Sequence, residues 1–256
     1  MPKDVAVVFG TFQRRVRLER CIKSIRQAVG GFLAYEIIVV DGGSRDGSVE
    51  WLAQQPDVVL IRQQLPLTGA VKAFNLGFAR AVDDGCPWVV QFNDDLTFGT
   101  DRAIERAVAL MQADDEIGAV AFASDRYSPG SPSCSWMRYH DKCYCNQGVF
   151  RREAGMAAAR LIGDPTGRTW WNPAFLTYAS DTILGLAIWR LGWRIHEAND
   201  LPIKDTFSTD GGYDDPLRKR NFKLYQNVSE FMLVWGDPVS AEYHRADAEQ
   251  FGGVLR

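Results

Sequence analysis

The stretch Trp88-Val89-Val90-Gln91-Phe92-Asn93-Asp94-Asp95-Leu96-Thr97 decides the fold. Its first five residues follow Pro87 and indicate a buried strand, which is typical of the centre of a parallel sheet. An amide and two carboxylates come next, where the strand ends. Ligands of open α/β sheets bind outside the carboxyl ends of the strands, and carboxylate oxygens suit Mg²⁺ or Mn²⁺. Asn and Asp are also ordinary turn residues, so the stretch alone leaves a solvated turn open.

Strand-like and helix-like segments alternate around this stretch with short connections. The alternation predicts βαβ units, and therefore an α/β fold with a mainly parallel central sheet and helices on both faces. After residue 124 the periodicity disappears, and it returns with a predicted helix at 152–161 and a helix that begins at Ser180. The predicted strands lie at residues 4–9, 36–40, 57–61, 88–92, 117–123 and 193–198, with a return to the sheet at 148–150. A C-terminal helical extension is predicted at 221–235 and 239–250.

The composition is that of an ordinary globular protein. The chain has 256 residues, 46% apolar residues and a formal charge of −3, which argues against a nucleic-acid partner. No apolar run approaches about eighteen residues, so we expect no transmembrane segment. Residues 1–4 lead directly into a strand-like run, so we expect no leader. We therefore expect a cytoplasmic protein, with a peripheral membrane location left open.

Polar and aromatic side chains close the other predicted strands. Thr11 and Phe12 follow the first strand, where a ring can pack on a nucleobase, and Asp41 closes the second. Lys72, early in the third helix, can reach a phosphate as a point charge. Each of these residues taken alone also fits a turn, a core ring or a solvated charge. Their placement at one edge of the sheet favours a site for a nucleoside diphosphate.

Several short motifs occur in an order that resembles family 2 glycosyltransferases with the GT-A fold. The resemblance covers residues 4–198, and it rests on order and spacing because each motif is short. The motifs are Val7-Val8-Phe9-Gly10-Thr11-Phe12-Gln13-Arg14, Ile38-Val39-Val40-Asp41-Gly42-Gly43-Ser44-Arg45-Asp46, Lys72-Ala73-Phe74-Asn75-Leu76-Gly77, Phe92-Asn93-Asp94-Asp95, Gly148-Val149-Phe150-Arg151-Arg152-Glu153-Ala154, Tyr178-Ala179-Ser180-Asp181 and Arg190-Leu191-Gly192-Trp193-Arg194-Ile195.

The resemblance implies a nucleotide-sugar donor and assigns roles to matching positions. Phe12 and Asp41 would hold the nucleobase, Lys72 would lie near the base or the diphosphate, and Asp94 would contact the ribose. The residues expected to bind the donor are Thr11, Phe12, Asp41, Lys72, Asn93 and Asp94.

The resemblance also implies a metal ion and a general base. Asp95 would bind Mn²⁺ or Mg²⁺, and Asp181 matches the base of inverting members, although a helix-capping role fits Asp181 as well. The sequence departs from the family at Gly42, where a second Asp is common, and at Ser180, which is often acidic. A histidine that helps to bind the metal is also missing, and Asp205 is the nearest substitute.

The sequence identifies the acceptor-binding residues less clearly than the donor-binding residues. Trp136, Trp170 and Trp171 could offer flat faces to a sugar ring, or they could belong to the core. A zinc site is an alternative use of Cys134, His140, Cys143 and Cys145, but their spacing is not a common zinc pattern, which favours a loop with incidental cysteines.

The leading hypothesis is a metal-dependent, inverting transfer of a sugar from a nucleotide-diphosphate donor to a glycan or another hydroxyl acceptor, as in polysaccharide biosynthesis. We divide the chain into a nucleotide-sugar-binding half (1–123), an acceptor-binding half (124–198) and a C-terminal extension (199–256). One alternative is a sugar-phosphate nucleotidyltransferase, although residues 10–15 lack the glycine-rich phosphate loop that it needs. Another is a non-catalytic carbohydrate- or nucleotide-binding module. The oligomeric state, including a homo-oligomer, stays open.

Overall fold

The computed structural model describes residues 3–63, 69–124, 138–139, 142–173 and 180–205. The predicted helices at 221–235 and 239–250 lie outside the described residues. Among the helices that are described, none combines the length and the apolar character of a membrane span.

The described chain alternates strands and helices in the predicted way. The strands are β1 (Val5–Thr11), β2 (Tyr35–Asp41), β3 (Val58–Arg62), β4 (Trp88–Gln91), β5 (Leu96–Phe98), β6 (Ile117–Ser124), β7 (Arg138–Tyr139), β8 (Lys142–Cys143), β9 (Gly148–Arg151) and β10 (Arg194–Asp205). The helices are α1 (Arg15–Val29), α2 (Ser48–Leu52), α3 (Ala70–Asp83), α4 (Ala103–Ala113), α5 (Arg152–Leu161) and α6 (Ser180–Arg190).

Eight of these strands form one sheet in the order β3-β2-β1-β4-β9-β6-β10-β5. Neighbouring strands from β3 to β4 are parallel, β10 is parallel to β6, and β9 and β5 are antiparallel to their neighbours. The prediction of a mainly parallel α/β sheet is confirmed. Strand β9 comes from the second half of the chain and pairs between β4 and β6, so both halves build the same sheet.

The central strands are buried because helices cover both faces. The side chains of residues 5–9 in β1 and 37–40 in β2 have no exposed surface, which fits their continuous apolar runs. Helix α3 lies very close to β1. A Cβ added at Gly77 would be 2.3 Å from Val8 Cγ1, so only glycine permits this approach.

The sheet curls, and the curl brings its last strand back to the end of β4. In sheet order β5 is four ladder steps from β4, roughly 19 Å in a flat sheet. The linking residues 92–95 span at most about 18 Å when extended, and they form a turn in which Leu96 N donates to Asn93 O. The curl shortens the gap, and Phe98 of β5 stacks on Phe92 with a centroid distance of 4.4 Å.

Strand β10 makes this closure by bending. Its pairing with β6 shifts between Ala198 and Pro202, and its last residues then pair with β5. The sequence predicted a strand only at 193–198, so this bent continuation differs from the prediction. Its ladder partners in β5 are distant in sequence, and local periodicity carries no signal for such a pairing.

Candidate active site

Three predicted site residues meet at the carboxyl edge of β1, β2 and β4. Thr11 and Asp41 end β1 and β2 and are paired in register. Thr11 Oγ1 also donates a 2.8 Å hydrogen bond to Asp94 Oδ2 in the turn after β4. The predicted convergence of Thr11, Asp41 and Asp94 is therefore present.

Asp41 is fully buried, and its two carboxylate oxygens have different surroundings. Oδ1 accepts hydrogen bonds of 2.9 Å from the backbone N–H groups of Gly43 and Ser44. Oδ2 is buried and accepts no hydrogen bond from any described residue. A buried carboxylate oxygen without a donor is costly, so Oδ2 is a ready acceptor for an N–H or O–H group of a ligand.

Phe12 and Lys72 flank this edge. Phe12 is 44% exposed although it is a large aromatic residue. Lys72 is exposed in the first turn of α3, next to Ala73. A Cβ added at Gly10 would lie 3.0 Å from Ala73 Cβ, so this turn packs on the end of β1. Lys72 therefore lies in the helical turn that packs on the end of β1.

Arg14 is the site residue to which the sequence assigned no role. Its Nη1 donates to Asp94 Oδ1 at 2.9 Å and to Asp95 Oδ2 at 3.1 Å. Burial raises the pKa of Asp94 to about 6, against the lowering effect of the Arg14 charge, while Asp95 raises it further. The sequence signal was available, since Arg14 is the first charged residue after the end of β1.

Hydrogen bonds between the loops after β1 and β2 hold this edge in place. Gln13 N donates to Ser44 Oγ at 2.9 Å, with Gln13 in the left-handed region at a φ of 56°. Asp46 accepts from Arg15 N at 2.9 Å and from the Ser48 hydroxyl at 2.6 Å. Asp46 therefore binds the first residues of both α1 and α2, which links the two loops to each other.

Asp181 lies at the same edge of the sheet, for a topological reason. Arg194 begins β10 opposite Ile117, the first residue of β6, and only residues 191–193 connect α6 to β10. Helix α6 therefore ends at the amino edge, and its first turn, about 16 Å away, lies toward the carboxyl edge. One contact agrees, because Ile188 lies against Gly118 near the start of β6.

Asp181 lies in the first turn of α6 and is partly buried. Burial raises its pKa to about 6, partly offset by a 2.9 Å hydrogen bond from Thr182 N to Oδ1. The pKa of Asp94 and the pKa of Asp181 are therefore both raised to about 6, above the value near 3.9 of a solvated aspartate. Perturbed carboxylates at the edge of an α/β sheet are typical of functional sites.

Backbone contacts show where two further predicted site residues, Asn93 and Asp205, lie. Asn93 O accepts from Cys21 Sγ at 3.4 Å and closes the turn to Leu96. The structure describes the backbone of Asp205, which pairs with Leu96. The backbone of Asp205 therefore lies one residue from Asp95. Within the described ranges no three His, Cys, Asp or Glu side chains cluster as metal ligands. Asp95 and Asp205 can supply oxygen ligands of the kind that Mn²⁺ and Mg²⁺ prefer.

The two described acceptor-side tryptophans are core residues. Trp170 is fully buried and stacks on Phe78 with a centroid distance of 4.8 Å. Trp171 is 5% exposed and donates from Nε1 to Gln91 Oε1 at 3.1 Å. Asn75 bonds both backbone groups of Trp171, at 2.7 and 2.9 Å. These positions match the core alternative and leave no indole face for a sugar.

The other acceptor-side and zinc residues are only partly described. Trp136, Cys134 and His140 lie outside the described residues. Cys143 and Cys145 are buried, and their thiols lie 3.2 Å from Tyr144 O and 3.8 Å from Val120 O. The zinc hypothesis therefore has no further support from the described part of the chain.

The chain matches a glycosyltransferase family in sequence and solved glycosyltransferases in fold. Residues 6–167 match the family described as "Glycosyl transferase family 2". A mannosyltransferase of Pyrobaculum calidifontis, PcManGT, in complex with GDP-Man and Mn²⁺, has a TM-score of 0.65 at 17% identity over 98% of this chain and 74% of its own. No curated protein matches the chain closely enough to count as a relative.

S. aureus TarS is a second structural relative. One TarS structure has a TM-score of 0.57 at 12% identity, over 90% of this chain and 43% of its own. Its residues 1–349 in complex with UDP-GlcNAc give a TM-score of 0.60 at 11% identity, over 90% and 66% of the two chains. At these identities the structural likeness shows a shared fold, the GT-A fold predicted from the motifs. The family match covers more than half of the chain, and the protein therefore belongs to glycosyl transferase family 2 and is a glycosyltransferase.

Proposed function

We propose that the protein transfers the sugar of a nucleoside diphosphate sugar to an acceptor hydroxyl, with a divalent ion at Asp95 and with Asp181 as general base. The observation that carries the proposal is the shared edge. Thr11, Asp41 and Asp94 meet there, and α6 brings Asp181 to the same side of the sheet. An open α/β sheet binds its ligands at this edge.

The donor would occupy the edge formed by β1, β2 and β4. Asp41 Oδ2 is a buried acceptor that lacks a donor among the described residues, which suits an N–H group of a nucleobase. Phe12 offers an exposed ring for stacking. Asp94 is already held by Thr11 and can accept from a ribose hydroxyl, while Lys72 supplies positive charge for the diphosphate.

The carboxylate oxygens at the end of β4 are ligands that fit a hard divalent ion. Asp95 is 28% exposed, so its carboxylate can reach an incoming ion, and Asp205 pairs one residue away. When bound, the ion would offset the charge that develops on the departing nucleoside diphosphate. The Mn²⁺ in the PcManGT complex and the nucleotide sugars in the complexes of both relatives support this assignment.

Asp181 is suited to remove the proton from the acceptor hydroxyl. Its pKa of about 6 leaves most of the group ionised at neutral pH, yet makes it a stronger base than a solvated aspartate. A single base opposite the donor fits one direct displacement at the anomeric carbon, which inverts its configuration. The acceptor would be a glycan or another compound with a free hydroxyl group.

The decisive measurement is release of nucleoside diphosphate from UDP- and GDP-sugars, with and without Mn²⁺ and an acceptor mixture. We expect Mn²⁺-dependent release that falls at least about a hundredfold in D95N and D181N, which is the usual scale for loss of one acid–base or electrostatic group. D115N is the matched control, because Asp115 is 95% exposed and precedes β6 at the opposite edge.

Two results would redirect the proposal. Nucleotide binding without release, across all donors, would favour the non-catalytic binding module. Formation of a nucleotide sugar from a sugar phosphate and a nucleoside triphosphate would favour the nucleotidyltransferase.

A further inference from the structure

Arg14 lies between the two carboxylates that the proposed function gives to donor and metal. Its hydrogen bonds to these two carboxylates, 2.9 Å to Asp94 and 3.1 Å to Asp95, come from the single nitrogen Nη1. The contact is not the two-pronged arrangement in which both prongs of a guanidinium bind one carboxylate. Nη1 therefore acts as a point charge between two acidic groups, where an added cation would also be attracted.

The backbone at Arg14 is fixed, but its side chain is accessible. Gln13 N and Arg15 N, on either side, are held by Ser44 and Asp46. The Arg14 side chain is 25% exposed, and that of Asp95 is 28% exposed. Solvent and ions therefore reach this ion pair.

The need for a cation at this point follows from burial and charge. The side chain of Asp94 is only 6% exposed, and the next residue, Asp95, carries a second carboxylate. Two such groups repel each other and are poorly solvated unless a positive charge lies between them. Arg14 provides that charge within the protein itself.

We propose that Arg14 is a built-in cation that occupies the acidic site before the donor arrives, and that the divalent ion must displace its guanidinium from Asp95. The inference rests on the proposed function, because it takes Asp95 as a ligand of the ion. Arg14 is then a positioning residue that keeps both carboxylates in place and weakens the binding of free ions. An ion that arrives with a diphosphate brings further ligands and competes better.

The test is a titration of the nucleotide-free, full-length protein with Mn²⁺ alone, followed by electron paramagnetic resonance. R14Q removes the competing charge, and we expect it to bind Mn²⁺ about two- to fivefold more tightly than the wild type, the scale of one partly exposed ion pair. R14K keeps one cationic nitrogen and should stay close to the wild type. R15Q is the matched control, because Arg15 pairs with Glu19 on α1.

A second comparison distinguishes the exchange of the Arg14 guanidinium for the ion from a general loosening of the loop. In a D95N background the ion has lost its ligand, so R14Q should no longer improve Mn²⁺ binding. Equal or weaker Mn²⁺ binding by R14Q in the native background overturns the inference, and so does an R14K variant that behaves like R14Q. Circular dichroism melts of all variants verify that they are folded.

The outcome is separable from that of the proposed function. Nucleoside diphosphate release by the wild type is measured in parallel. If the wild type releases no nucleoside diphosphate but R14Q binds Mn²⁺ more tightly, the proposed function is wrong and the exchange at Arg14 is supported. If the wild type releases nucleoside diphosphate but R14Q binds Mn²⁺ no more tightly, the exchange at Arg14 is wrong and the proposed function is unaffected.

Discussion

Asp205 pairs with Leu96 across the antiparallel ladder between β10 and β5, which places its backbone one residue from Asp95. These residues are far apart in sequence, and the curl of the sheet brings them together. We therefore expect D205N to weaken the ion site. The Mn²⁺ concentration for half-maximal activity should rise about tenfold or more, the smallest effect usual for the removal of a metal-site group.

The control for this prediction lies on the same strand. Asp200 is 68% exposed and pairs with Arg106, away from β5. D200N makes the same chemical change and should leave the Mn²⁺ requirement unaltered. If D205N and D200N show the same requirement, Asp205 is not a ligand.

Thr11 is predicted to stabilise the buried charge of Asp94. In T11V the carboxylate loses its 2.8 Å hydrogen bond, and the free energy of unfolding at pH 8 should fall by about 1–3 kcal/mol. T11S keeps the hydroxyl and should stay near the wild type. The pKa of Asp94 should rise above its value of about 6 in T11V, because Thr11 helps to lower it. Urea denaturation and carboxyl NMR titration measure the two effects, and equal stability of T11V and T11S would contradict the first.

The sequence was sufficient for the central strands and for the edge on which the site lies. Strands β1, β2 and β4 are continuous apolar runs because helices cover both faces of the sheet, and a polar residue marks where each run ends. Thr11, Asp41 and Asp94 were therefore predicted together from strand ends alone. Their hydrogen-bond partners were not, because the register between β1 and β4 decides them.

Other features depend on contacts that leave no local pattern. Arg14 and Arg15 are adjacent and chemically equal in the sequence, yet only Arg14 reaches the acidic turn, since Arg15 points along α1 to Glu19. Strand β5 is three residues long and is stabilised by β10, which follows it by about a hundred residues. Periodicity cannot indicate such a strand, because a run so short shows no repeat.

Trp170 is predicted to contribute to stability and not to acceptor binding. Its ring is fully buried against Phe78 and Phe150, and a Cβ added at Gly155 would lie 2.4 Å from it. We expect W170A to lower the free energy of unfolding by about 3–5 kcal/mol. Phe32, another aromatic residue, is 80% exposed, and F32A should change stability by no more than about 0.5 kcal/mol.

The milder variant W170F distinguishes the two roles of Trp170. It keeps a large ring in the core, so enough folded protein should remain for kinetics. The KM for the acceptor should equal that of the wild type. A raised acceptor KM with unchanged stability would restore Trp170 as an acceptor contact.

Asp181 should reduce stability at the pH at which it serves as a base. Its pKa is about 6 in the folded protein, against 3.8 for the free side chain, because burial disfavours the charged form. The folded state therefore holds the proton more tightly than the unfolded state. As the pH rises from about 4 to about 6, the wild type should lose up to about 3 kcal/mol, and the full loss should persist above pH 6.

D181N removes this titration and keeps an oxygen to accept from Thr182 N. The variant should therefore be more stable than the wild type at pH 8, with a difference that shrinks through pH 6 and disappears near pH 4, although it is inactive. Urea denaturation at pH 4, 5, 6 and 8 measures the difference, with D115N as a control whose exposed carboxyl group should give none. A wild type that gains stability over D181N with rising pH would show instead that Asp181 is held as a charged group by a partner, and a partnered carboxylate is a poor base for an acceptor hydroxyl.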